Sequence, residues 1–288
     1  MIIDFHTHPL CRQASVRPEL KEAIGRLWHG TSQTEAKNQV STSLEALFSS
    51  KDADDIVREM DQHHVDVSVI TGMDLTGAFG MELVTLEDLA NITQLHPNRF
   101  IPFAGIDPSQ GYAAVEKAQR SASRYGCRGI KLHPELQNID PSDRQFDPLW
   151  HACQENDLIV WSHASVQRTL PGADARLVHP MKFEPVAGRF KGLKIVLGHC
   201  GFPWMMEALA MVYRHPNVYL DVSAHLAIYP YFPWQAFQDY GCAGKLLFAT
   251  DSPFVGIGET LHALRKAGLD EDFQKKILGE NAAALLNM

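Results

Sequence analysis

Four histidines and one aspartate stand where short apolar segments end: His6 and His8 in DFHTH, His163 in WSHAS, His199 in VLGHCG, and Asp251 in FATDSP. Neutral imidazoles mixed with a carboxylate suit zinc, manganese or iron(II), with a coordination position left open. Residues two apart in an extended strand face the same way, so His6 and His8 can point together. An ion held by such a set lowers the pKa of bound water from about 15.7 towards roughly 7. A neighbouring carboxylate can take that proton and return it to a leaving group. An imidazole slightly outside the ligand set can steady a developing oxyanion. A lone H-x-H pair is as well explained by core or solvated histidines. The recurrence of imidazole at successive segment ends, with a carboxylate at the last, is what makes a site.

A second group surrounds the first. Lys131 and His133 in GIKLHPE are candidates for substrate contact. Lys131 suits a substrate carboxylate or, once carboxylated, a bridge between two metals; exposure to solvent or pairing with Glu135 are its structural alternatives. His133 reads as lying beside an ion rather than on it. Ser223 and His225 are candidate pocket-lining residues, and Arg168 a candidate anion clamp. His29, His63, His64, His96, His151, His179, His215 and His262 fall in loops or helices and read as ordinary.

These residues need a frame that gathers segment ends on one rim. Eight continuous apolar runs, rich in β-branched residues, cover 2–6, 65–71, 100–106, 129–133, 158–163, 194–199, 218–223 and 246–251. Continuous rather than alternating runs fit parallel strands covered on both faces. Helical segments are expected at 52–63, 112–125, 147–156, 203–213, 233–240, 259–267 and 271–286. The first has an acidic N-terminal turn, and the second stops at Gly126. Strand and helix in alternation predict an α/β fold, a (β/α)8 TIM barrel, as a single domain over 1–288. Active sites of such barrels form at the strand C-terminal ends, where the candidates lie. The stretch 9–51 follows the first strand and is expected to be a lid or substrate-shaping insertion, or a helical decoration, with helix near 19–28.

The 288 residues suffice for one barrel of this kind, and a 45% hydrophobic, 21% charged composition is that of a globular chain. A formal charge of -8 argues against nucleic acid or an anionic membrane as partner. No apolar run approaches the roughly 20 residues that a membrane span needs. The opening residues lack the basic region of a secretory signal. The five cysteines, Cys11, Cys127, Cys153, Cys200 and Cys242, form no C-x-x-C pair and are expected to be reduced thiols of a cytoplasmic protein. A small-molecule substrate is the expected partner, with a homo-oligomer open. The aromatic run YPYFPW at 229–234 suits pocket lining, a subunit contact or packing.

With these residues in place, the chain resembles the amidohydrolase superfamily, in its amidohydrolase-related (amidohydrolase 2) branch. The resemblance runs from DFHTH through GIKLHP, WSHAS, VLGHCG, HPNVYLDVSA and LLFATDSP to the closing KILGENAAALL. It implies one divalent metal ion, zinc first and manganese second, on His6, His8, His163 and Asp251. His199 would be the catalytic imidazole, or a ligand to a second metal if Lys131 is carboxylated. Asp251 would double as proton shuttle.

That branch contains hydrolases of amides, esters and lactones as well as non-oxidative decarboxylases of aromatic or unsaturated acids. Because its decarboxylases are commonly longer, the leading expectation is hydrolysis of a small carbonyl compound by metal-activated water, with decarboxylation at the same site the alternative. A phosphoesterase or deoxyribonuclease of the TatD kind is third, disfavoured by Lys131 where that family places a glutamate. A non-catalytic binding barrel is the fourth, disfavoured because no ligand position is missing.

Overall fold

The computed structural model describes residues 1–12, 51–166 and 173–288. Eight parallel strands run in chain order round one sheet. They are β1 (Ile3–Thr7), β2 (Val67–Thr71), β3 (Phe100–Gly105), β4 (Gly129–Leu132), β5 (Ile159–His163), β6 (Ile195–Gly198), β7 (Val218–Asp221) and β8 (Leu246–Leu247). The last strand returns to the first. Phe5 donates to the Phe248 carbonyl at 2.9 Å, Asp251 to that of His6 at 2.9 Å, and His8 to that of Ser252 at 2.7 Å. The expected (β/α)8 barrel is therefore what the chain forms.

The helices between the strands are α1 (Ala53–Gln62), α2 (Leu86–Leu95), α3 (Tyr112–Tyr125), α4 (Asp147–Glu155), α5 (Glu184–Arg189), α6 (Met205–Arg214), α7 (Trp234–Asp239) and α8 (Ile257–Arg265). Their local causes are legible. The Asp52 side chain caps α1 and exchanges a reciprocal bond with Asp55. Gly126, at φ 66°, ends α3 in the left-handed conformation that glycine adopts without strain. Two helices, α2 and α5, and a short antiparallel ribbon of Met73–Leu75 with Met81–Leu83 fall outside the expected segments. The first had a signal: Thr85 and Asp88 form a capping box three residues apart. The expected closing helix is interrupted. Glu271–Lys275 and Asn281–Leu286 flank a π turn at Lys276–Glu280, whose Gly279 leaves room for the Met1 carbonyl.

Two apolar layers follow from the closure. Ile3, Phe5, Val67, Val69, Phe103, Ile159, Trp161, Val196, Leu247 and Ala249 form an inner cluster, joined by Leu285 and Leu286 of the closing helix. Residues of opposite parity, such as Ile70, Ala104, Ile130, Val160, Leu197 and Leu220, pack outward on the helices. His6 and His8 break the parity that Ile3 and Phe5 set. The β1–β2 register slips there, with Asp4 opposite Ser68 but Thr7 opposite Ile70. A bulge of one residue re-aims the strand, so His6 and His8 turn to the interior at its mouth.

Asp4 holds that bulge. It is fully buried and accepts from the backbone N–H of His6 at 3.2 Å and of Thr250 at 2.9 Å, and from the hydroxyls of Thr7 at 3.1 Å and Thr250 at 2.6 Å. Burial pushes its carboxyl up to about 7 against the pull of those four bonds. Expected strand 246–251 is shorter as a ladder, Leu246–Leu247, because Asp251 takes a left-handed φ of 71° and the following chain pairs with β1 instead. Nearly all of the segment 9–51, including the helix expected at 19–28, lies outside the described residues. Asp4→Ala strands two buried N–H groups and is expected to cost about 3 kcal/mol. For a domain of this size that is a fall of roughly 6–12 °C in melting temperature. Thermal melting followed by circular dichroism checks it, and an unchanged midpoint would remove Asp4 from this role.

Candidate metal centre

The closure that seals the barrel also assembles the site. The Asp251 N–H bond to the His6 carbonyl fixes one backbone against the other, and the two side chains meet above it. Oδ1 of Asp251 lies 3.1 Å from Nε2 of His6 and 3.3 Å from Nε2 of His8. His199 enters from the end of β6 at φ 64°. One donor atom each of His6, His199 and Asp251 falls within a 4.8 Å group. The four imidazoles of His6, His8, His163 and His199 are buried, whereas Asp251 keeps 17% of its side chain exposed. The site therefore opens to solvent on the carboxylate side.

The donors fit a divalent cation on three counts. Two atoms about 2.1 Å from one ion at a tetrahedral angle stand roughly 3.4 Å apart, close to both Asp251–imidazole separations. Burial, followed by the charge of Lys131 and the neighbouring imidazoles, holds His6 and His199 well below their ordinary pKa. Burial also lowers His8, with Asp251 pulling the other way. Neutral imidazole is the form that binds a metal. Finally, buried nitrogens are left without partners: Nδ1 of His6, Nδ1 of His163, and both ring nitrogens of His133. Unsatisfied polar atoms inside a protein are uncommon, and unplaced ions are one of their explanations.

The candidates from the sequence converge unequally. His6, His199 and Asp251 share the centre, and His8 meets it through Asp251. His163 stands beside it, stacked on His133 with centroids 4.1 Å apart and 4.5 Å from His199. Its Nε2 donates to the Ser165 carbonyl at 2.9 Å, which leaves Nδ1 as its free acceptor. Lys131 does not pair with Glu135. Its Nζ is 3.4 Å from His6 Nε2 and 3.3 Å above the centroid of the Trp161 ring, and burial pushes its pKa down to about 7. The Ser223 hydroxyl is fully buried between His199 and Asp221. His225 lies behind, 4.7 Å from the Phe202 ring and 6.5 Å from His199. Arg168 lies outside the described residues. Of the histidines read as ordinary, His96, His151 and His215 pair with Asp54, Glu155 and Glu184 well away from the centre.

Three residues of the site were not singled out from the sequence. Trp161 lies flat on His6, 4.0 Å between centroids at 17°. Asp221 accepts from the Trp161 indole N–H at 2.6 Å and from the His199 backbone N–H at 2.8 Å. Asp4 supports the strand that carries His6. The aspartate and the serine of YLDVS two residues on, at the end of a strand, were the available signal for Asp221.

A family model described as amidohydrolase matches residues 3–288. The chain belongs to the amidohydrolase family. Solved structures share its fold over nearly the whole length. An uncharacterised TIM-barrel protein from Bordetella bronchiseptica has a TM-score of 0.70 at 22% identity, covering 99% of this chain and 98% of that one. A dihydroxybenzoic acid decarboxylase from Polaromonas sp. JS666, with bound manganese and the inhibitor 2-nitroresorcinol, has 0.69 at 21%, covering 99% and 96%. A 5-carboxyvanillate decarboxylase from Sphingomonas paucimobilis has 0.67 at 15%, covering 100% and 99%. Amidohydrolases of this family include metal-dependent enzymes, and this chain brings donor atoms of His6, His199 and Asp251 within 4.8 Å of one another.

Removing a donor from the centre is expected to weaken metal binding by more than about 100-fold, beyond what loss of an outer partner costs. His6→Ala and Asp251→Asn, titrated calorimetrically with zinc and with manganese, check this against a parent whose circular dichroism they should match. Undiminished affinity in both variants would place the ion elsewhere.

Proposed function

We propose that this amidohydrolase is a metal-dependent, non-oxidative decarboxylase of a small aromatic or unsaturated carboxylic acid. The observation that carries the reading is Lys131. A buried amine 3.4 Å from a metal-capable imidazole, on the face of Trp161, is an anion receptor set directly beside the centre. A carboxylate could there be shared between a cation and an ammonium. The Polaromonas and Sphingomonas decarboxylases with this fold lend support, the first through its bound manganese. The preference for hydrolysis in the sequence rested on chain length, yet this chain covers 96% and 99% of those two. That ground no longer favours hydrolysis.

His6, His8, His199 and Asp251 would hold one divalent ion, zinc or manganese, with the His163 ring beside them. When bound, such an ion supplies Lewis-acid polarisation of the substrate oxygens. Lys131 binds the carboxylate and orients it. Trp161 presents an apolar ring that excludes water from one side. Asp251 meets both imidazoles through Oδ1, and we assign proton delivery to its Oδ2. As the bond between the carboxyl carbon and the substrate breaks, the electron pair stays on the substrate carbon. That carbon takes a proton that Asp251 relays from solvent on its exposed side, and carbon dioxide leaves. Hydrolysis of a lactone or amide remains the second reading, favoured by the family description and served by the same donors.

The test is a panel of hydroxylated benzoates and unsaturated dicarboxylates beside lactones and amides, with manganese- or zinc-loaded protein. Carbon dioxide released in a sealed cell, one per substrate consumed, is expected with the acids. Ring opening or amine release without carbon dioxide would overturn decarboxylation in favour of hydrolysis. Lys131→Met is expected to raise KM at least about tenfold, the loss of one charge-assisted bond.

A further inference from the structure

The imidazole of His199 has two nitrogens, and its surroundings decide which one carries the proton. Nδ1 lies 2.7 Å from the Ser223 hydroxyl. That hydroxyl lies 2.5 Å from Oδ1 of Asp221. A serine hydroxyl has one proton to give, and a carboxylate only accepts. Asp221 also faces the backbone N–H of His199 at 2.8 Å, that of Ser223 at 3.0 Å, and the Trp161 indole N–H at 2.6 Å. None of these three can take a proton from it. Although burial pushes the Asp221 carboxyl up, its surroundings are thus those of a carboxylate. The serine proton goes to Asp221, and the serine oxygen accepts from Nδ1–H of His199. The lone pair is left on Nε2.

The same carboxylate works at a second point. Through Oδ2 it holds the Trp161 indole, whose ring stacks on His6 and lies under the Lys131 amine. A Cβ at Gly198 would collide with that ring, so the residue before His199 must be glycine for the indole to lie there. His199 and Cys200 both take left-handed backbone, at φ 64° and 60°. Such residues cost of order 1–3 kcal/mol each and persist where the surroundings over-determine them. The Asp221 bond to the His199 N–H is one of the constraints that hold this turn.

We propose that Asp221 and Ser223 are positioning residues that hold His199 as its Nδ1–H tautomer and fix the Trp161 ring against His6 and Lys131. Ser223 therefore acts through His199 rather than on the substrate. The tautomer follows from hydrogen bonding alone; its effect on turnover rests on the decarboxylase reading above.

The experiment is nitrogen NMR of the full chain with labelled histidine, free of metal and loaded with diamagnetic zinc, in parent, Ser223→Ala and Ser223→Thr. The parent is expected to show His199 protonated on Nδ1. Ser223→Ala should move it towards the Nε2–H form that free imidazole prefers, with the circular dichroism spectrum and melting curve of a folded barrel. Ser223→Thr, which keeps the hydroxyl, should retain the Nδ1–H signal. On a substrate that the parent turns over, Ser223→Ala should lower kcat about 10–100-fold with KM nearly unchanged. In the metal-free protein, a parent His199 protonated on Nε2, or an identical tautomer in the alanine variant, would overturn the proposal. If the tautomer shifts as expected but no acid is decarboxylated by the parent, the positioning role stands and the decarboxylase reading falls.

Discussion

Several titratable groups crowd the mouth of this barrel with one partly exposed carboxylate among them, and burial disfavours the charged form of the imidazoles. That constraint shapes everything around it. Had the imidazoles of His6, His8, His163 and His199 been free to protonate, they would repel one another and Lys131 across a few ångströms. Kept neutral, they offer lone pairs to a cation. The same desolvation brings the Lys131 amine down to about 7, so that it responds to whatever anion arrives beside it. A centre rich in neutral donors and poor in fixed negative charge favours an ion together with an anionic ligand.

Holding such a centre demands unusual backbone. Three features do it, and each has a polar anchor. The bulge in β1 turns His6 and His8 inward and is gripped by Asp4. The left-handed turn at His199 and Cys200 is gripped by Asp221. Asp251, also left-handed, is tied to the His6 carbonyl. Two buried aspartates outside the expected ligand set therefore stand behind the candidate donors, Asp4 on β1 and Asp221 on β7, the two strands that flank β8. Rigidity of this kind is what preorganised donors require.

The barrel was legible because its signal is repetitive: eight apolar runs, seven of them ending in a polar residue, can close in few ways. That His6, His8, His163, His199 and Asp251 stand at or just past strand ends on one rim was legible for the same reason. What escaped was decided by contacts distant in sequence. Ser223 was read as pocket lining because nothing in YLDVSAH reveals that its hydroxyl turns inward to Asp221 and His199. Lys131 was given Glu135 as a structural alternative because that residue is near in sequence, whereas the barrel brings it to Trp161 and His6 instead. Trp161, two residues before the histidine in WSHAS, is buried in the core, and its indole N–H is what links it to the site. The bulge left no sequence trace, since a regular strand would also have put His6 and His8 on one face.

X-ray absorption at the metal edge tests the central claim most directly, using protein loaded with one equivalent of zinc or manganese. The account predicts one ordered environment of nitrogen and oxygen donors at about 2.0–2.2 Å, with the multiple-scattering signature of at least two imidazoles. A spectrum of oxygen donors alone, or of sulfur, would contradict it and place the ion away from His6, His199 and Asp251.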